Sequence, residues 1–177
     1  MLTLANFLTF IRLTLIFPGA YAIYSQLWYW AAGIFVLAIL TDIGDGIAAR
    51  RLNQTSNMGA LFDHTTDATF VAVNLTAFVW AGAIPFCLPI LIAIAFVQYV
   101  LDSKALAGQA LRMSILGKNN GIAYFAVLGI AIAHHLPGLQ WIPVQLIYAI
   151  GWLLIISTVL SIMDRAWALV QLKRKQL

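Results

Sequence analysis

The chain has 177 residues, of which 63% are hydrophobic and 9% charged, with a formal net charge of +4 and a mean hydropathy of +0.93. Soluble domains carry about 25% charged residues, so a water-soluble globule is excluded and an integral membrane protein is expected. No polar or Gly/Ser-rich linker divides the chain, so residues 1–177 read as a single domain; no nucleic-acid partner is expected, and Cys87, the only cysteine, cannot form an internal disulfide.

Segments of about 17 to 25 residues are needed to cross some 30 Å of hydrocarbon. Six are predicted, over 7–25, 28–49, 60–81, 84–102, 120–136 and 142–163, giving an all-α polytopic fold with both termini cytoplasmic. Ala20-Tyr21-Ala22 looks like a cleavage site, but Arg12 interrupts the apolar run and no basic residue precedes it, so a retained first helix is read. With the N-terminus cytoplasmic, Arg50, Arg51, Lys104, Arg112, Lys118, Arg165, Lys173, Arg174 and Lys175 all fall on the cytoplasmic side and Arg12 lies near the cytoplasmic end of the first helix. An odd helix count would break this positive-inside pattern. Trp28, Tyr29, Trp30 and Trp141 mark the outer boundary as an aromatic belt, and His134 and His135 lie there, away from any chemistry.

Four of the six acidic residues are concentrated where the second and third segments meet: Asp42 and Asp45, then Asp63 and Asp67. Spacings of i, i+3 and i, i+4 put each pair on one face of its helix, and two facing pairs make a nest of four carboxylates. The nest is expected roughly 6 to 12 Å inside the cytoplasmic helix ends. Each Asp at mid-membrane costs roughly 2.5 to 3.5 kcal/mol, and mutual repulsion adds to that, so a positive partner is required. Arg50 and Arg51 cannot offset four carboxylates. An all-carboxylate set suits a hard cation, Mg²⁺ or Mn²⁺, with coordination positions left for phosphate oxygens.

The run Asp42-x2-Asp45-Gly46-x2-Ala49-Arg50-x8-Gly59-x3-Asp63-x3-Asp67 resembles the signature of the CDP-alcohol phosphatidyltransferases at all eight fixed positions. Asn6-x2-Thr9-x2-Arg12 is similar to the start of many members, so direct coverage is about 6–12 and 42–67. The resemblance implies a homodimeric membrane enzyme in which Asp42, Asp45, Asp63 and Asp67 hold two divalent cations and Asp67 is also the base. It implies transfer of a phosphatidyl group from CDP-diacylglycerol to an acceptor alcohol, releasing CMP, in phospholipid biosynthesis at a bacterial cytoplasmic membrane.

Within that resemblance Gly46 and Gly59 let a nucleotide lie against backbone, Ala49 and Arg50 accompany the pyrophosphate, and Asn6 and Thr9 meet the cytidine or its ribose. The alternative for the glycines is helix packing, for which Gly44-x3-Ala48 already provides a small-residue pattern. Arg112 and Lys118 are the best candidates for a phosphate on the acceptor, with Lys104 and Arg165 behind them; topology alone would also place cations here. His64 departs from the proline common at its place in the family and is expected beside the metal ligands rather than among them. The Arg-Glu pair associated with phosphatidylglycerophosphate synthases is absent from Gln98 to Gly121. Glycerol 3-phosphate is the first expectation for the acceptor and phosphatidylglycerol, giving cardiolipin, the second. A divalent-cation transporter and a non-catalytic scaffold are the readings from other classes.

Overall fold

The computed structural model describes residues 3–52, 55–104, 106 and 114–174. Among these there are six helices: α1 (Leu4–Tyr24), α2 (Trp28–Arg51), α3 (Asn57–Trp80), α4 (Cys87–Asp102), α5 (Ile115–Ala133) and α6 (Val144–Arg174). The six expected segments are all present. Arg112 lies outside the described residues.

The boundaries differ where polar sequence was read as connection. Helix α5 begins at Ile115 rather than at 120, because the Ser114 hydroxyl caps it by accepting from the Gly117 amide at 3.0 Å. Helix α6 continues to Arg174, past the expected end at 163, since no Gly or Pro stops it where the apolar run gives way to polar residues. Hydropathy locates the end of an apolar run, and the helix outlasts it. The turn after α1 is a Schellman closure: Leu27 N–H reaches Ala22 O at 2.8 Å and Gln26 N–H reaches Ile23 O at 3.0 Å. Gln26 takes the left-handed position that glycine usually fills, with φ of 58°.

Four helices are long and apolar enough to cross a membrane: α1, α2, α5 and the stretch Val144–Ala168 of α6. Helix α3 has 24 residues, the same as α2, and its hydropathy is diluted by Asp63, His64, Asp67 and Asn74. Helix α4 has 16 residues, or about 24 Å, and is shorter than a hydrocarbon core.

Successive helices alternate in direction. Thr9, near the start of α1, bonds to Asp45 in the second half of α2, while Trp28, at the start of α2, stacks on His135 just beyond α5 with ring centroids 3.7 Å apart. All the acidic motif residues therefore gather at one end of the bundle and the Trp28–His135 stack closes the other. Burial holds the His135 imidazole below the ordinary histidine range.

Helix α1 lies against both α2 and α3, and this three-helix unit positions the acids. Its closeness depends on Gly19, where a Cβ would fall 2.5 Å from Asn74 Oδ1. Asn74 is buried in α3 and donates to Phe70 O at 2.8 Å and across the interface to Ile16 O at 3.4 Å. A polar side chain thus ties two helices together beside a glycine, as small-residue packing in membranes permits. The apolar core, with Phe70, Leu75, Phe78, Leu88 and Leu128 almost inaccessible, fills the middle of the bundle.

Gly19→Ala is expected to destabilise the protein by about 1–3 kcal/mol through overpacking against Asn74. Gly33→Ala in α2, where a Cβ would meet nothing within 4 Å, is the control and is expected to leave stability unchanged or slightly raised. Thermal unfolding of the two variants in the same detergent checks the contrast.

Candidate functional site

Helix periodicity turns Asp42 and Asp45 of α2 toward Asp63 and Asp67 of α3, and the two pairs converge as their spacing predicts. A ligand oxygen from each of Asp42, Asp45 and Asp63 lies within 4.8 Å of the others, and the same holds for Asp63, His64 and Asp67. Burial is graded across the nest: the Asp45 side chain is 6% exposed and that of Asp42 45%. The site is therefore sealed against α1 and open on the side of Asp42, Asp63 and Asp67.

The positive partner is Arg12. Its side chain is 0% exposed, and its guanidinium enters the nest from α1. Nη1 lies 3.2 Å from Asp42 Oδ1 and 3.0 Å from Asp63 Oδ1 and also contacts Asp67 Oδ1, while Nη2 contacts Asp45 Oδ2. Thr9, one helical turn before Arg12, donates to the same Asp45 oxygen at 3.1 Å. Arg50 and Arg51, which the sequence already set aside as too few to offset four carboxylates, are both exposed at the end of α2. The signal that could have found Arg12 was present: an arginine inside an apolar run, on the Asn6, Thr9, Arg12 face of a helix, has to meet acids.

One guanidinium against four carboxylates leaves three negative charges. Each closest contact of Arg12 uses a single oxygen per carboxylate, so the second oxygens remain for other partners. The residual charge, the all-oxygen donors and the partial exposure fit a divalent hard cation. His64 Nδ1 lies 3.7 Å from Asp63 Oδ2, beside the carboxylates, and could reach a shared ion with Asp63 and Asp67.

The remaining sequence candidates are arranged around this nest. Asn6 faces Gly59: a Cβ there would lie 3.4 Å from Asn6 Oδ1 and 2.9 Å from the Ser56 hydroxyl that caps α3. The glycine thus has a packing reason of its own. A Cβ on Gly46 would make ordinary contact, 3.5 Å, with Arg50 Nη1, so the guanidinium folds back over the glycine. Ala49 is half-buried beside it.

A cavity of about 350 Å³ runs from the nest into the space between α3, α4, α5 and α6. Asp42, His64 and Asp67 line it at one end, and Lys118 and Arg165 contribute cations to its wall. The Arg165 guanidinium lies over the Tyr99 ring with its carbon 4.7 Å from the centroid. Of the two main acceptor-phosphate candidates, Lys118 is brought to the cavity and Arg112 is not described. Arg165, weighed behind them, is at the cavity as well. Lys104 is exposed, with a left-handed φ of 50°, and is not among the cavity-lining residues.

The sequence pattern of the CDP-alcohol phosphatidyltransferases matches residues 2–164, which include Arg12, the four aspartates and Lys118. The chain belongs to the CDP-alcohol phosphatidyltransferase family. It is an integral membrane member, with four helices able to span a bilayer. Among curated proteins it is 44% identical over 55 residues to the CDP-diacylglycerol--glycerol-3-phosphate 3-phosphatidyltransferase of Wigglesworthia glossinidia brevipalpis, covering 31% of this chain and 30% of that one. It is 41% identical over 78 residues to the protein of the same name from Yersinia pestis (strain Pestoides F), covering 42% of each. Human cardiolipin synthase (CMP-forming) is 33% identical over 84 residues, 47% of this chain and 28% of that one. The chain spans less than half the length of the curated relatives it matches.

Removing the guanidinium leaves four carboxylates facing one another. Arg12→Gln is expected to cost about 3–5 kcal/mol, the range for breaking a buried ion pair from one side. Thermal unfolding in EDTA should show the loss, and added Mn²⁺ should raise the melting temperature of Arg12→Gln by more than that of the parent protein. Equal Mn²⁺ shifts in the two proteins would mean that the cation and the guanidinium do not share these acids.

Proposed function

We propose that this protein transfers a phosphatidyl group from CDP-diacylglycerol to the hydroxyl of an acceptor alcohol, releasing CMP, in phospholipid biosynthesis. The observation that carries the reading is the convergence of Asp42, Asp45, Asp63 and Asp67 around a net charge of minus three at one end of a cavity of about 350 Å³. Asp42, Asp45, Asp63 and Asp67 would hold two divalent cations, Mg²⁺ or Mn²⁺. When bound, such ions neutralise a diphosphate and stabilise the departing phosphate.

The chain's own residues divide the remaining work. Asn6, Thr9, Gly46, Ala49, Arg50 and Gly59 surround the nucleotide half: Thr9 holds Asp45 in place, and the exposed Arg50 guanidinium over Gly46 is available to a phosphate. Asp67, which also lines the cavity, takes the proton of the acceptor hydroxyl. That oxygen bonds to the phosphorus bearing diacylglycerol as the bond from the same phosphorus to the CMP oxygen breaks. The products are CMP, a phosphodiester lipid and the proton on Asp67. Lys118 and Arg165 face the acceptor side and suit a phosphate on it, and Arg112 is assigned to the same group.

Glycerol 3-phosphate is the preferred acceptor, giving phosphatidylglycerophosphate. Phosphatidylglycerol, giving cardiolipin, is the second reading. It is favoured by the apolar walls of the cavity at Val71, Ile92, Phe96 and Phe125, and relatives carry both names. Six spans with both termini cytoplasmic, the active site opening to the cytoplasm, a bacterial cytoplasmic membrane and a homodimer complete the proposal. Alternating helix direction and the basic residues at the acidic end support the topology.

Transport of the cations themselves would need polar groups along α3 beyond Asp67. There the hydroxyls of Thr69 and Thr76 bond to their own helix, to Thr65 O and Ala72 O, and Asn74 is bound to Phe70 O and Ile16 O. None of the three lines the cavity.

Asp67→Asn is expected to lower CMP release from labelled CDP-diacylglycerol by 10²–10⁴-fold, the usual contribution of a general base, with the protein still folded. Asp42→Asn is expected to weaken metal-dependent CDP binding instead. Full activity in Asp67→Asn would remove Asp67 as the base. Absence of CMP release with every acceptor, together with Mn²⁺ flux into vesicles, would replace the transferase reading by the transporter.

A further inference from the structure

The inner wall of the cavity carries polar groups that the protein itself leaves unsatisfied. Asn120 is 5% exposed, and its Oδ1 is held by the Ser157 hydroxyl at 2.6 Å. Its Nδ2 has no hydrogen-bond partner. The Tyr124 hydroxyl interacts with the Asn120 side chain and could take at most one of the two amide hydrogens, and Tyr124 already meets Thr158 at 2.6 Å. Because Thr158 donates to Leu154 O, its oxygen must accept from Tyr124. Gln98 repeats the arrangement on α4: Nε2 donates to Ile162 O at 3.0 Å, and Oε1 is buried without a partner. The Tyr99 hydroxyl is likewise buried and unpartnered. All three residues line the cavity.

A buried polar atom without a partner is destabilising, so three at one cavity point to a ligand that satisfies them. The set offers an amide donor, an amide acceptor and a phenol that can be either. A hydroxyl, which donates and accepts through one atom, is the group that answers all three. At one end of the cavity Asp67 awaits a hydroxyl to deprotonate, and Lys118 and Arg165 on the same wall suit a phosphate.

We infer that Asn120 and Gln98 are specificity-determining residues that hydrogen-bond a second, non-reacting hydroxyl of the acceptor, and that the acceptor is therefore a phosphorylated polyol of the glycerol phosphate type. The inference rests on the transferase reading. Glycerol phosphate chemistry comes either free in water or as a lipid headgroup, and the cavity recognises what the two share. An amino alcohol such as serine is disfavoured, because its ammonium would find no carboxylate on the wall away from Asp42 and Asp67. The anchors are part of the device. Ser157 fixes one end of the Asn120 amide and Ile162 O one end of the Gln98 amide, so in each cavity-lining residue one end is held and the other is left for a ligand.

The test uses the full-length protein in nanodiscs with labelled CDP-diacylglycerol and Mn²⁺. Glycerol 3-phosphate, phosphatidylglycerol, serine and ethanolamine are supplied separately and the lipid products resolved. Turnover with either glycerol phosphate compound at ten or more times the kcat/KM of the amino alcohols is expected, and the one used identifies its source. Asn120→Leu is expected to raise KM for that acceptor at least tenfold while KM for CDP-diacylglycerol stays within twofold, and Asn120→Asp, which keeps the oxygen held by Ser157 and lacks the amide donor, to recover none of the loss. Should Asn120→Leu melt early, Gln98→Leu carries the same expectation. An acceptor KM within twofold of the parent in both folded variants, or preferential use of serine or ethanolamine, overturns the inference and leaves the transferase intact. No CMP release with any acceptor overturns both.

Discussion

One buried guanidinium organises this molecule. Arg12 reaches from α1 into the gap between α2 and α3 and touches all four motif aspartates. A charge of either sign alone at that depth would be costly, and two helices carrying only acids would repel each other. Arg12 lets the three helices pack around a site that still keeps an excess of negative charge. The arrangement is an incomplete neutralisation: enough positive charge to hold the fold together, too little to satisfy the acids. A fully neutral cluster would be better packed and chemically inert.

The constraint spreads outward from there. Arg12 can reach the acids only if α1 lies close to α3, and that closeness depends on Gly19 against Asn74. Asp45 is oriented by Thr9 as well as by Arg12, so a single helix face, Asn6, Thr9 and Arg12, sets the geometry of residues more than thirty positions away in sequence. The other half of the bundle, α4 to α6, supplies the cavity wall. The division matches the two substrates proposed: the nucleotide against the tightly packed α1 to α3 unit, the acceptor in the roomier space beyond Asp67.

Much of this was legible in the sequence, for reasons that can be named. Six helices follow from apolar length and from the need to keep every cation on one side. The acid nest follows from i, i+3 and i, i+4 spacing, which is a property of one helix at a time. What the spacing cannot show is which partner a third helix inserts. Arg12 was treated as a topological charge near a membrane surface, and Arg50 and Arg51 were weighed as counter-ions because they are near in sequence. The ends of α5 and α6 were misplaced for a related reason, since hydropathy measures compatibility with lipid and a helix continues into water wherever a cap or a good helix-former permits. The unsatisfied amide of Asn120 was also invisible, because an unmet hydrogen bond depends on how α5 and α6 pack.

The cavity and the nest impose opposite demands on their surroundings, and the helix lengths reflect it. Around the nest the backbone is packed closely enough that an added methyl at Gly19 or Gly59 would collide with Asn74 or Ser56. Rigid placement suits groups that must bind metal and orient a diphosphate, because a displacement of a fraction of an ångström changes every distance at once. Around the cavity the amides of Asn120 and Gln98 are anchored at one end only, by Ser157 and by Ile162 O. Helix α4, at 16 residues, is the shortest of the six described helices and borders the cavity through Ile92, Phe96 and Tyr99. The lipid substrate proposed above, with its head among Lys118, Arg165 and Asp67, would lie beside this shortest helix, whose length falls short of a hydrocarbon core.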